Sequence, residues 1–305
     1  MHALELTNLS KSYNGKEVVK KVSLSIQEGE IFGLLGPNGA GKSTTINMIS
    51  GVTKVGAGTV RVFGKDNQAD FVSTRRAVGV MHQEIVVDTF FTIDRALKIH
   101  SGYYGVKDDP KWRDLLVERL ALGPHLKKSM NKLSGGMKRR FMVAKALIHK
   151  PTLLILDEPT AGVDVELRQN LWSFVREINK TMGVTVLLTT HYLEEAEEMC
   201  ERVAIMNLGE LIALDRTKDL LNKLEDKRML IHLDQPIGEV PPSLKGFGAE
   251  LLENGSLLKV PVTKQISTNS VLEAIAKAQL AVKDLETQAP NLQEAFLKLT
   301  RGKHA

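Results

Sequence analysis

The chain has 305 residues, 43% hydrophobic and 25% charged, which is the composition of one large or two medium folded domains and excludes a disordered or fibrous protein. The net charge of +5 comes from lysines and arginines interleaved with acids, with Lys138-Arg139-Arg140 the only dense basic cluster, so nucleic acid is not an expected partner. A lone cysteine, Cys200, excludes a disulfide framework or a cysteine-built metal site, and no apolar run reaches the roughly 18 residues of a spanning helix.

The N-terminal residues have neither a basic segment nor a long apolar one, so secretion is not expected and a reducing compartment fits. If the protein serves a membrane process, other chains must cross the bilayer. Short strands are predicted at Ala3 to Leu9, Val18 to Ile26, Ile31 to Leu35 and Thr59 to Phe63, punctuated by glycines.

The strand Ile31 to Leu35 runs directly into Gly36, Pro37, Asn38, Gly39, Ala40, Gly41, Lys42, Ser43 and Thr44, a full match to the phosphate loop G-x-x-x-x-G-K-[ST]. Strand, glycine-rich turn and helix are the context such a site needs. The glycines allow positive φ angles that turn successive amides toward phosphate oxygens, and a helix beginning near Lys42 adds the positive end of its dipole. Lys42 supplies a cation to the β and γ phosphates, Ser43 a hydroxyl for magnesium, and Thr44 a contact near the α phosphate. The expected ligand is a nucleoside triphosphate such as ATP.

A mainly helical stretch follows from about Thr92 to Ile148, after a strand at Ala77 to Met81. Within it Leu133-Ser134-Gly135-Gly136-Met137 precedes a helix, with Ser134 as N-cap and two glycines exposing helix-end amides. Taken alone, this is a capped turn. As a second anion-seeking helix end in one chain, it needs an explanation.

Strands and helices then alternate: Thr152 to Leu156, Glu166 to Asn179, Val184 to Thr189, Leu193 to Cys200 and Val203 to Asn207, which predicts a parallel sheet with crossover helices. The apolar run Leu153 to Leu156 ends in Asp157 and Glu158. A carboxylate at that edge of a parallel sheet lies beside the phosphate loop, so Asp157 is expected to hold magnesium through water and Glu158 to orient or deprotonate the attacking water.

Near Asp226 the texture changes, and Pro236, Pro241 and Pro242 break the chain. A hairpin around Asn254-Gly255, a helix over Ser270 to Leu280, a strand at Ala281 to Leu285 and a helix over Leu292 to Leu299 are predicted. Asn291 and Glu294 form a capping-box-like start for the last helix.

The Leu133 to Met137 segment, placed between a phosphate loop and Leu153 to Glu158, resembles the signature of ABC-type ATPases. Gln83 matches the family's Q-loop glutamine, Ala161-Gly162-Val163-Asp164 its D-loop, His191 its switch histidine and Tyr13 its adenine-stacking aromatic. The likeness covers about residues 3 to 225. It departs from the usual pattern at Met137, where glutamine is common, and at Ala161 and Val163.

The resemblance implies an α/β P-loop NTPase core with an antiparallel β subdomain and an inserted helical subdomain over about 84–148. The ATPase domain spans 1–225, and a small α+β accessory domain spans 226–305. It also implies a head-to-tail homodimer in which Ser134 to Gly136 of one copy close over the γ phosphate held by the other. His191 would bond that phosphate, Gln83 would touch magnesium and water, and the run from Ile85 to Phe91 would sense a partner or pack in the subdomain. The longer matches look most like the export branch that includes drug-resistance and polysaccharide exporters, whose ATPases pair with a separate transmembrane permease. That places the chain at the cytoplasmic face of the membrane. An importer ATPase and a soluble ABC ATPase acting on nucleic acid or ribosomes are the alternatives; against the second, residues 45–132 hold no heptads and no cysteines.

Overall fold

A computed structural model describes residues 1–85, 90–222, 227–263, 266–288 and 291–301. The chain forms two compact units, 1–216 and 217–305. Residues 86–89 of the predicted partner-sensing run, and the texture change at 226, lie outside the described residues.

The first unit opens with β1 (His2–Tyr13), β2 (Lys16–Gln27) and β3 (Ile31–Leu35), followed by α1 (Lys42–Ile49), β4 (Ala57–Val62), β5 (Lys65–Asp66), α2 (Phe71–Ala77) and β6 (Val78–Met81). The mainly helical stretch contains α3 (Ile93–Tyr103), α4 (Pro110–Arg119) and α5 (Gly135–Leu147). Then come β7 (Leu153–Asp157), α6 (Val165–Met182), β8 (Thr185–Thr189), α7 (Leu193–Met199), β9 (Arg202–Asn207) and β10 (Glu210–Arg216).

Two sheets form. One is antiparallel in the order β2-β1-β4-β5, and the other runs β10-β9-β3-β8-β7-β6. In the second, β3, β6, β7, β8 and β9 pair in parallel and β10 returns antiparallel along β9. Every residue of β3, β7 and β8 is buried, as parallel strands in the middle of a sheet covered on both faces must be. Because those strands point the same way, the segments after β3, β6, β7 and β8 emerge at one edge of the sheet.

Local chemistry starts the helices. The Thr92, Asp109, Ser134 and Asp164 side chains each accept a backbone N–H in the first turn of α3, α4, α5 and α6, and Gly183 closes α6 in the left-handed conformation at φ 67°. The β1–β2 hairpin turns on Asn14 and Gly15, both at positive φ, with Tyr13 opposite Lys16.

The contact of β6 with α5 rests on Gly79. A Cβ there would stand 2.1 Å from the Ala146 carbonyl oxygen and 2.7 Å from Pro151 Cγ, and the backbone oxygen cannot yield without moving α5. Gly79→Ala is expected to lower stability by about 2–3 kcal/mol, measured by denaturant unfolding. A change under about 0.5 kcal/mol would show that α5 does not depend on this close approach.

The second unit comprises α8 (Thr217–Asn222), β11 (Lys227–Leu233), α9 (Pro242–Lys245), β12 (Glu250–Leu252), β13 (Leu257–Val262), α10 (Thr268–Lys277), β14 (Val282–Gln288) and α11 (Leu292–Arg301). Its antiparallel sheet runs β12-β13-β11-β14, and Met229, Ile231, Leu258 and Val260 meet Val271 and Ile275 of α10 in the core. β12 and β13 form the hairpin expected around Asn254, which sits at φ 54°. The Asn291 side chain accepts the Glu294 N–H at 3.0 Å, and Arg228 grips the Glu294 carboxylate with both terminal guanidinium nitrogens, Nη1 and Nη2. Within this unit, which begins at Thr217, α8 contacts α11.

Candidate nucleotide site

The phosphate loop connects β3 to α1. Gly36, Gly39 and Gly41 take positive φ values of 159°, 79° and 102°, as predicted. Gly36 is required for a second reason: a Cβ on it would lie 2.5 Å from the Met206 carbonyl oxygen of β9. Gly41 is crowded too, with the Val18 oxygen 2.8 Å from a built Cβ. Pro37, Asn38 and Gly39 form the exposed crest of the loop, and Ala40 is buried beneath it.

Lys42 is buried, and its ammonium donates to the Gly36 oxygen at 2.7 Å and the Pro37 oxygen at 3.2 Å. Burial holds its pKa below the ordinary lysine value, while the charges of Glu158 and Asp157 pull it back upward. Ser43 is exposed and Thr44 half-buried; Thr45 bonds back to the Gly41 oxygen at 2.9 Å.

Opposite the loop, β7 ends at Asp157, whose Oδ1 accepts the Thr189 hydroxyl of β8 at 2.5 Å. The next residue, Glu158, turns the chain with φ 50°, and its N–H donates to the Thr189 carbonyl oxygen at 3.0 Å. That turn leads the buried carboxylate to two partners: Gln83 Nε2 donates to Glu158 Oε2 at 3.0 Å, and His191 Nδ1 lies 3.3 Å from the same oxygen. Ser43, Gln83 and Asp157 line one cleft of about 360 Å³ together with His82 and Lys145.

Thus Lys42, Gln83, Asp157, Glu158 and His191, scattered along the sequence, meet at one edge of the parallel sheet. A hydroxyl, a carboxylate and an amide facing one cleft form a small hard-oxygen donor set, as suits magnesium completing its shell with phosphate and water. No group of three or more His, Cys, Asp or Glu able to hold an ion by itself occurs among the described residues.

The other predicted residues lie elsewhere. Tyr13 is exposed at the tip of the β1–β2 hairpin, with Lys11 Nζ 5.3 Å from its ring centre. Leu133 is buried; Ser134 accepts the Met137 N–H at 3.3 Å and caps α5. A Cβ on Gly135 would meet nothing within 4 Å, and one on Gly136 only the Leu167 side chain at 4.0 Å. Asp164 accepts the Leu167 N–H at 2.9 Å, capping α6. Among the described residues, no hydrogen bond or ion pair joins Ser134, Gly135, Gly136 or Asp164 to the phosphate loop.

Two contributions were not predicted. Arg139, the middle of the basic cluster, is buried and donates to the Gln83 carbonyl oxygen at 3.2 Å, tying α5 to the site; Lys138-Arg139-Arg140 is therefore not one basic surface. Thr189 braces both acids. The signal for Arg139 was its place on the face of α5 shared with Met142, Val143 and Ala146; for Thr189 only tertiary pairing could show it.

The ABC transporter family profile matches residues 19–161. Over 306 aligned residues the chain is 35% identical to the linearmycin resistance ATP-binding protein LnrL of Bacillus subtilis (strain 168), covering 97% of this chain and 98% of that one. The chain belongs to the ABC transporter ATP-binding family. It is an ATP-binding ABC-type ATPase, and the near-complete overlap with LnrL takes in the second unit as well as the first.

A Nod factor export ATP-binding protein I of Rhizobium etli is 34% identical across 98% of this chain and 94% of its own length. Among solved structures, an ATP-binding subunit of an ABC transporter superposes with a TM-score of 0.67 at 28% identity, over 72% of this chain and 92% of that one. The dimeric bacterial ABC transporter cassette MJ0796 gives 0.66 at 25% identity, over 70% and 98%. The expected family and P-loop fold are borne out.

Proposed function

We propose that two copies of this chain close head to tail around two ATP molecules, hydrolyse them, and drive export through a separate membrane-spanning permease. The observation that carries the reading is the signature turn. Gly135 and Gly136 have neither a left-handed backbone nor a crowding neighbour to explain them, yet they open a helix whose first N–H groups lack intrahelical acceptors. Small residues at an uncrowded helix end suit a group that approaches from outside the chain. The γ phosphate held on a second copy's loop is such a group.

In this reading the loop amides of Gly36 to Thr44 and Lys42 hold the triphosphate, Tyr13 stacks on adenine, and Ser134 to Met137 cap the nucleotide of the second copy, with Asp164 at the same junction. Ser43, Gln83 and Asp157 hold magnesium, which when bound offsets phosphate charge. Glu158 takes up the proton of the attacking water, and His191 donates a hydrogen bond to the γ phosphate.

Export is supported by the linearmycin resistance and Nod factor export relatives. Among the described residues no helix is long and apolar enough to cross a membrane, which suits a subunit held at the cytoplasmic face by its permease. The test is the dependence of hydrolysis on protein concentration. If each site needs two chains, the rate per chain rises with concentration until dimers saturate; a rate strictly proportional to the amount of protein down to nanomolar levels would point to a site complete in one chain. Co-purification of a membrane protein, and ATP-dependent export from vesicles holding both, test the rest.

A further inference from the structure

Glu195 is a buried carboxylate, only 5% exposed, in the first turn of α7. Its Oε2 accepts two hydroxyls, from Thr160 and from Thr190, each at 2.9 Å. Both donors are fully buried side chains, at 0% and 1% exposure, and neither is in α7. Thr160 lies two residues beyond Glu158, and Thr190 immediately precedes His191. The second oxygen, Oε1, faces Arg168 Nε of α6 at 3.3 Å, a charge contact without an aligned hydrogen bond.

Arg168 belongs to the first turn of the helix that Asp164 caps, and its N–H donates to the Asp164 carbonyl oxygen at 3.0 Å. Its guanidinium also lies 4.7 Å from the Tyr192 ring, which in turn packs 4.1 Å from the His191 ring. One carboxylate therefore touches three segments: those carrying Glu158, His191 and Asp164.

A buried charge costs several kcal/mol unless compensated, and a well-packed apolar residue would hold loops together without that cost. What the carboxylate adds is direction. Two hydroxyls converging on one oxygen constrain the relative placement of the two segments far more narrowly than apolar packing does, and the arginine contact makes that placement depend on α6.

From this we infer that Glu195 is a positioning residue: it holds the Glu158 and His191 segments in register with each other and couples them to the helix that begins at Asp164. The inference rests on the roles given above to Glu158 and His191. The partners of Glu195 are Thr160, Thr190 and Arg168, none of them in the phosphate loop, so its removal should act on turnover and spare binding.

The experiment uses the full-length chain with magnesium and ATP, in the Glu195→Gln, Thr160→Val and Thr190→Val variants and the double threonine variant. Glu195→Gln is expected to lower kcat about 10- to 100-fold, the cost of misplacing catalytic groups by up to about 1 Å, with ATP affinity and KM within about twofold. The two near-isosteric threonine changes should each lower kcat and combine less than multiplicatively, because they share one acceptor. Should Glu195→Gln not fold, the threonine pair carries the test by itself.

A lowered melting temperature with kcat per folded chain unchanged would reduce the cluster to a structural brace and overturn the inference, as would fully multiplicative threonine effects. Glu158→Gln, run alongside, separates the layers. If that variant is inactive and the Glu195 cluster variants are normal, only the positioning role falls; if it still hydrolyses ATP, the assignment of Glu158 falls first.

Discussion

Glu158→Gln is expected to bind ATP as tightly as the parent chain and to lose hydrolysis by on the order of 10³-fold, the scale of a lost general base. The substitution changes almost nothing but charge and proton affinity. Glutamine has the size of glutamate, so the left-handed turn at φ 50° and the N–H bond to the Thr189 oxygen are retained. The phosphate loop contacts none of the changed atoms through a hydrogen bond. What disappears is the acceptor for the water proton and the negative charge facing His191 Nδ1 at 3.3 Å. Removing a carboxylate close to where the triphosphate binds also relieves repulsion, so affinity should not fall. Chains that bind and cannot cleave should accumulate as ATP-bound dimers, read by sedimentation with and without nucleotide. Turnover above about a tenth of the parent rate would mean that another group activates the water.

Lys42→Met should have its largest effect on binding. Methionine preserves much of the buried stem volume and deletes the ammonium, so the comparison isolates the charge. In the free chain that ammonium donates to the Gly36 and Pro37 oxygens, and it already sits against a desolvation penalty that lowers its pKa. Losing two such bonds costs about 1–3 kcal/mol, and releasing a buried charge offsets part of this, so the unliganded variant should melt close to the parent. Toward ATP there is no offset. The charge-assisted contacts to phosphate oxygens vanish, and an affinity loss of about 100-fold, or about 2.7 kcal/mol, is expected from calorimetric titration. The thermal upshift that ATP produces in the parent should shrink accordingly. An unchanged ATP affinity would remove Lys42 from the phosphate site.

Much of the site is legible in the sequence, because its parts are local. A glycine-rich loop, a capped helix and an apolar strand ending in acids each have their signal within about ten residues, and family likeness supplied the order that turned fragments into a site. The helix starts at Ser134 and Asn291 and the hairpin at Asn254 were readable for the same reason: one side chain or one left-handed residue decides the conformation of its neighbours. Less readable were α2, whose Phe71-Val72 start shows no helical periodicity, and β10, which pairs with β9 through a tight turn at Leu208 and Gly209. Strand β11 does alternate Met229, Ile231 and Leu233 toward the core, a signal present in the sequence and not predicted from it.

By itself, the sequence determined that this chain carries a phosphate loop, paired acids at a strand end and a second glycine-marked helix start, since each depends on short-range backbone geometry and side-chain chemistry. Only the tertiary structure decided which residues share an atom: Gln83 and His191 on one oxygen of Glu158, Thr160 and Thr190 on one oxygen of Glu195, Gly36 beneath the Met206 carbonyl and Gly79 beneath that of Ala146. Apart from Thr190 with Glu195, those pairings span tens of residues of chain or more. They come from strand order and the close packing of a buried parallel sheet, which no local pattern encodes.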